Sequence, residues 1–197
     1  TASSSTRASS RSGLKASISR RISLRLIGLL LFFAYAGTAC ATGTGVVLHT
    51  NLGQISVELY DKESPVTVQN FLRLVDDEVY ENVLFHRVIM GFMAQTGGYR
   101  PNLEPLRERD AIVNEASNGL KNLRGTLAMA RHDTIDSASV AFFVNLADNE
   151  HLDHSEHSCT REDEQAQAKA EQRGLFKPVT CKTFGYAVFG KVTDGMD

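Results

Sequence analysis

Phe85-His86-Arg87-Val88-Ile89, followed after Met90 by Gly91-Phe92-Met93-Ala94-Gln95-Thr96-Gly97-Gly98, is the stretch on which the reading of this chain turns. Val83–Met90, which contains its first half, is a short apolar run rich in β-branched and aromatic residues, and reads as a strand. An arginine set among apolar residues is ordinarily a surface strand residue, and His86 reads as a packed, satisfied histidine. Phe85, Val88 and Ile89 read as core, together with Phe142 and Val144 further along.

Working outward, Val46–Thr50 and Ile55–Tyr60 read as strands joined by the turn residues Asn51-Leu52-Gly53. Ile55, Val57 and Leu59 alternate with Ser56, Glu58 and Tyr60, as one buried face requires. Ser64-Pro65 opens a helix, with Ser as the N-cap and Pro at its first position. Val68, Phe71, Leu72 and Val75 fall at i, i+3, i+4 and i+7 and form its expected buried stripe. Downstream apolar runs at Val83–Met90, Gly125–Met129, Ala141–Leu146 and Tyr186–Val192 are each bounded by Gly, Asn or Asp. Many short strands with few helices predict a mainly β closed sheet, not alternating β/α units. Thr160 and Asp163 form a capping box that starts a polar helix over Glu162–Arg173, ending at Gly174. It has no apolar stripe, so residues 155–182 read as a surface insertion in a loop, where added length costs little.

Composition changes near residue 41. Residues 1–41 carry six basic residues and no acidic ones, followed within the segment by the apolar run Leu26–Ala36. A basic flank, a short apolar run and small residues beyond it make a targeting segment. The run is shorter than the roughly 20 residues needed to span a bilayer. Ala39-Cys40-Ala41 fits a signal-peptidase site, and Gly37-Thr38-Ala39-Cys40 is similar to a lipoprotein box that would lipidate Cys40. Either route sends the protein to the periplasm or another exported location, with the membrane involved only through a lipid anchor or an uncleaved signal. Without the six basic residues, 15 Lys and Arg face 23 Asp and Glu, a balance of −8. An acidic domain of this kind lacks the electrostatic footprint for nucleic acid.

The opening stretch resembles the cyclophilins, and three further blocks follow in that family's order. They are Asn114-Glu115 with Asn118-Gly119-Leu120 and Arg124–Arg131, then Phe142-Phe143-Val144-Asn145, then Phe184–Val192. The resemblance, closest to the bacterial branch, covers roughly 46–154 and 183–197 and implies an isomerase domain over residues 42–197. It implies a cyclophilin-like antiparallel β-barrel capped by two helices, and peptidyl-prolyl cis/trans isomerase activity with no metal or cofactor. It implies Arg87 and Gln95 as catalytic residues. Phe92, Met93, Phe143 and Leu152 would wall the proline pocket, with the backbone of Ala130 and Arg131 along the groove and His151 and Tyr186 at its rim. The partners implied are proline-containing unfolded or exported polypeptides, met by a monomer; a chaperone or peptide-binding module with incidental turnover is the rival reading.

The chain departs from the family at Met90 and Ala94, both tolerable replacements, and more consequentially in three other places. Ala141 stands where Gln usually contacts the substrate backbone, which removes a hydrogen bond worth about 1 kcal/mol. His151 replaces the Trp of many eukaryotic members, which implies weak cyclosporin inhibition. Family members also continue past Gly195-Met196 with a helix and a closing strand, so an unpaired sheet edge is expected. In an oxidising compartment Cys159 and Cys181 are a plausible disulfide pair. His151, His154, His157 and Cys159 are spaced as metal ligands can be, but the family pocket already claims His151, and the segment reads as a His-rich loop.

Overall fold

The computed structural model describes residues 43–174 and 181–196. The segment read as a targeting signal and Cys40 lie outside the described residues. Strand β1 (Gly45–Thr50) turns back onto β2 (Gly53–Leu59), in register from Gly45 opposite Glu58 to Thr50 opposite Gly53. The Thr50 hydroxyl closes the turn, accepting from the Leu52 and Gly53 N–H groups and donating to the Gly53 carbonyl. Helix α1 (Pro65–Asp76) follows, then β3 (Arg87–Ile89), β4 (Met93–Thr96), β5 (Thr126–Met129), β6 (Phe142–Asn145), helix α2 (Arg161–Gln172) and β7 (Val188–Asp194). The strands form one curled antiparallel sheet in the order β1-β2-β7-β5-β6-β4-β3, the mainly β architecture that the strand pattern predicts. Among the described residues β1 and β3 are its two edges.

Helix α1 packs against the core with Val68 and Phe71 of the predicted stripe buried and Leu72 half-buried, but Leu74 takes the place expected for Val75. Leu74 is fully buried and Val75 is 37% exposed. The helix is turned by polar anchors: Thr67 and Asn70 are buried, Thr67 donating to Glu115 and Asn70 to the Ser139 carbonyl. Ser64 occupies the N-cap position without capping; its hydroxyl donates instead to the Val188 carbonyl at 2.6 Å. The carboxylate of Glu115 takes over, accepting from the N–H groups of Val66 and Thr67 at 3.1 and 2.8 Å. A negative charge there also suits the positive end of the helix dipole.

The central strands β5 and β6 are buried along their whole length. Alternation sends Leu127, Met129, Phe142 and Val144 into a core with Val57, Leu59, Val68, Phe71 and Phe189. There Phe142 meets Phe71 edge-on, with ring centroids 5.4 Å apart. The opposite face carries Ala128, Phe143 and Met93. Of the five apolar residues read as core around the opening stretch, Phe142 and Val144 are buried, whereas Phe85, Val88 and Ile89 are exposed by 36%, 58% and 40%. For Val88 and Ile89 the reason is position: they lie on β3, an edge strand of three residues, all exposed, and Phe85 lies just before it.

Cys159, Cys181, Phe184 and Ala187, from residues 155–174 and 181–187, pack with Ala116 and Ile135 in a separate small cluster. Helix α2 starts at the predicted capping box, with both halves formed between Thr160 and Asp163, and buries no side chain. Cys159 and Cys181 are joined by a disulfide. Arg161 fixes the helix to the body through two bonds to the Asp136 carboxylate, at 2.8 and 3.1 Å. Glu164 adds a third anchor by accepting from the Ile135 N–H at 2.8 Å.

Candidate active site

Strand register sets the site. Arg87 on β3 lies opposite Gln95 on β4, and Gln95 lies opposite Phe143 on β6. Residues directly opposite one another share a face of the sheet, so these three stand in one row across three strands. The Arg87 guanidinium donates through Nη1 to Gln95 Oε1 at 3.3 Å. Beside the row opens a cleft of about 190 Å³, lined by Arg87, Phe92, Met93, Gln95, Ala130, Arg131, Phe143, Leu152 and Tyr186. That space is smaller than the ~300 Å³ and more of a drug-sized pocket and suits a single compact apolar ring.

The floor is apolar. Met93, Phe143 and Leu152 are buried, and Phe92, Ala130 and Tyr186 pack against them. Phe143 and Tyr186 meet edge-on at 5.7 Å. Ala141 and His151 stand outside this lining. Ala141 acts through its backbone, its carbonyl accepting from the Ala130 N–H at 2.9 Å. His151 is exposed and stacks on Phe92 with ring centroids 5.5 Å apart.

The polar rim is held by groups that the sequence did not single out. Asn149 donates to the Phe92 carbonyl and to Asn145 Oδ1, at 2.9 and 2.7 Å. Asn145 donates to Asn122 Oδ1 and to the Thr126 hydroxyl, and Asn122 donates to the Leu152 carbonyl and to Asp153. Asn122, Asn145, Asn149 and Thr126 are all buried, so this network is a satisfied polar seam under the cleft. It ties the backbone of Phe92 to that of Leu152. The only hint in the sequence is an Asn ending an otherwise apolar strand at Phe142–Asn145.

Arg131 was expected to contribute backbone. Its side chain does more: the guanidinium lies over the Tyr186 ring, 4.9 Å from the centroid, and burial pulls its pKa below the ordinary guanidinium value. Tyr186, Asp133, Glu164 and Asp136 oppose that shift. His86 packs edge-on against Tyr99 at 4.8 Å, but its Nδ1 finds no partner among the described residues, so it is packed without being satisfied. The His-rich spacing does not gather into a ligand set. Cys159 is in the disulfide, His154 Nδ1 pairs with the Phe184 carbonyl at 2.7 Å, and His151 sits on Phe92.

Comparisons with known proteins agree with this architecture. Residues 45–197 match the family model described as cyclophilin type peptidyl-prolyl cis-trans isomerase/CLD. The chain is 39% identical over 181 residues to peptidyl-prolyl cis-trans isomerase A of Dickeya dadantii, an alignment covering 91% of this chain and 82% of the relative. It is 41% identical over 152 residues to peptidyl-prolyl cis-trans isomerase B of Escherichia coli, covering 77% of this chain and 79% of the relative. Among solved structures, a cyclophilin type peptidyl-prolyl cis-trans isomerase of Cryptosporidium parvum, crystallised in the presence of the dipeptide Ala-Pro, matches with a TM-score of 0.53. That match is at 25% identity and covers 77% of this chain and 80% of the other. A strand order with Arg87, Gln95 and Phe143 in one row, a family match over nearly all of the described residues, and relatives near 40% identity lead to one conclusion: the chain belongs to the cyclophilin-type peptidyl-prolyl cis-trans isomerase family.

Proposed function

We propose that residues 42–197 accelerate Xaa-Pro isomerisation by electrostatic stabilisation of the twisted amide, with Arg87 as the charged element. The planar prolyl amide resists rotation by roughly 18–20 kcal/mol because the nitrogen lone pair is delocalised. Twisting the bond returns that pair to nitrogen. A fixed guanidinium beside it is then worth more than in the planar ground state, which is the condition for lowering a barrier. Gln95, 3.3 Å from Arg87, holds the guanidinium in direction, and the cleft of Phe92, Met93, Phe143 and Leu152 takes the proline ring. No nucleophile or proton transfer is required of the chain.

The observation that carries this reading is the placing of a permanent cation at the lip of an apolar, proline-sized cleft, with its partner Gln95 one strand away. Its substrates are proline-containing polypeptides, and the basic-then-apolar segment over residues 1–41 puts the work on exported chains outside the cytoplasm, in monomeric form. The loss of the usual Gln at Ala141 favours a second reading, a peptide-holding module with incidental turnover.

The test is a proline isomerisation assay comparing the intact chain with Arg87→Ala. Removing one preorganised charged donor should cost about 10²-fold in kcat/KM with the fold unchanged. Equal catalysis by both proteins rejects the electrostatic role, and peptide binding without turnover in either establishes the holding module.

A further inference from the structure

We propose that Arg131 is a positioning residue that couples the Cys159–Cys181 disulfide to the proline cleft, so that reducing this bond weakens substrate binding. The proposal rests on the reading of the cleft given above. Its basis is the unusual employment of the Arg131 fork. Nη2 donates to the Cys181 carbonyl at 2.9 Å and Nε to the Gly185 carbonyl at 3.0 Å. Nη1 donates to the carbonyls of His132, Thr134 and Asp133, at 2.9, 3.3 and 3.4 Å. One guanidinium thus gathers the loop after β5 and both ends of the turn from Cys181 to Gly185. Only a planar group with several fixed donors can do so.

The same guanidinium supports the cleft wall. It lies over the Tyr186 ring, which also meets Phe143 edge-on. The Tyr186 N–H donates to the Leu152 carbonyl at 2.9 Å. A continuous chain of contacts therefore runs from the disulfide through the Cys181 carbonyl and Arg131 to Tyr186, Phe143 and Leu152. Gly185 leaves no slack in it: its φ is +101°, and a Cβ there would lie 2.7 Å from the His154 nitrogen. The 181–187 turn is seated tightly against residues 153–154, with the disulfide at its start.

The bond matters because it is the covalent tie at that start, beside the hydrogen bond that the Cys181 carbonyl accepts from Arg131. The cluster around it has six residues, two of which are the cysteines themselves. The Cys159 N–H adds one bond, to the Thr183 hydroxyl at 3.1 Å. Reduction breaks the S–S bond with two electrons and two protons from a dithiol, which is itself oxidised to a disulfide; two thiols remain in the chain. Cys181 is then no longer tied to Cys159. Arg131 loses the fixed position of one acceptor, and Tyr186 loses its backing. The chemistry at Arg87 and Gln95, on β3 and β4, is not part of this path.

The experiment measures KM and kcat for Xaa-Pro isomerisation on the full chain, oxidised and after treatment with dithiothreitol, with both thiols counted. Reduction of the wild type should raise KM about fivefold, the order of one lost hydrogen-bonded support, with a smaller change in kcat. Arg131→Met and Arg131→Lys should show the higher KM already when oxidised, with no further rise on reduction, because the path is cut in both. The Cys159→Ser/Cys181→Ser pair should match the reduced wild type and ignore the dithiol. Circular dichroism on each protein separates these effects from unfolding, and wild-type reduction alone decides if the Arg131 variants do not fold. An unchanged KM with both thiols free overturns the coupling, as does a full additional rise on reduction of Arg131→Lys. Arg87→Ala run alongside keeps the two readings apart: its loss of activity with no redox effect sinks only the coupling, and its full activity sinks the cleft reading.

Discussion

Strands β5 and β6 and the segment around α2 are held by opposite means. Every residue of β5 and β6 is buried, and both strands are paired on both edges and packed on both faces. Helix α2 buries none of its side chains and hangs from discrete points: the disulfide, the Arg161–Asp136 pair and the Glu164 bond to Ile135. Distributed burial gives the β4–β6 pairing of Gln95 with Phe143 a register that cannot slip without moving a whole face, and Arg87 joins the row through its pairing with Gln95. Point attachment leaves the insertion adjustable, since each anchor is a single chemical event. The cleft draws one wall from each regime: Phe143 and Met93 from the sheet, Tyr186 from the turn that the insertion's disulfide begins.

If that contrast is right, the largest stability loss comes from the sheet. Phe142 is 2% exposed and meets Phe71, Tyr80 and Phe189. Phe142→Ala should cost about 3–5 kcal/mol in denaturant unfolding, since the aromatic cluster has no means of closing over the cavity. It should also lower hydrogen-exchange protection throughout β4 to β7. A loss confined to one strand would show that the sheet is not the cooperative unit described.

Next comes the disulfide. It closes a loop of sequence separation 22, worth about 3 kcal/mol by the chain-entropy argument. The Cys159→Ser/Cys181→Ser pair should lose about that much. Its exchange protection should fall in 155–174 and 181–187 while β5 and β6 stay protected. Equal loss in both regions would erase the distinction between them.

The sequence was legible where a local period meets a local environment. The alternation of β2, the capping box at Thr160 and the polar character of α2 all reduce to residues within a few positions of one another. What local pattern missed is set by long-range partners. Val75 fits a stripe as well as Leu74 does; Glu115 and Ser139, 48 and 69 residues from their bonded partners on α1, decide between them. Phe85, Val88 and Ile89 are apolar enough for a core, and only the order of strands shows that β3 is an edge. In the site, the family resemblance drew attention to Arg87, Gln95, Phe92 and Phe143. The Asn122–Asn145–Asn149 seam and the Arg131 fork carry no such mark, because Asn and Arg in loops are ordinary until their distant acceptors are known.

The smallest expected effect tests whether the outer anchors are individually weak. Asp136 is held below the ordinary aspartate range, first by its hydrogen bond from Arg161, with the Asn114 N–H and nearby Arg charges assisting and burial opposing. A carboxyl whose folded pKa is depressed contributes stability above its unfolded pKa, near 3.9, and loses it as pH falls through the folded value. Both side chains are more than a third exposed, at 39% and 37%, so solvent screens the pair and its worth stays below about 1 kcal/mol. Asp136→Asn should therefore lower stability slightly at pH 7, and the difference from wild type should shrink as pH falls below the unfolded aspartate value near 3.9 and vanish once the folded carboxyl is protonated. The Arg161 guanidinium also covers the Phe184 ring at 5.0 Å, a contact that survives the substitution and should keep α2 docked. A loss at pH 7 as large as that of the cysteine pair would mean that this ion pair, not the covalent bond, is the principal anchor of the insertion.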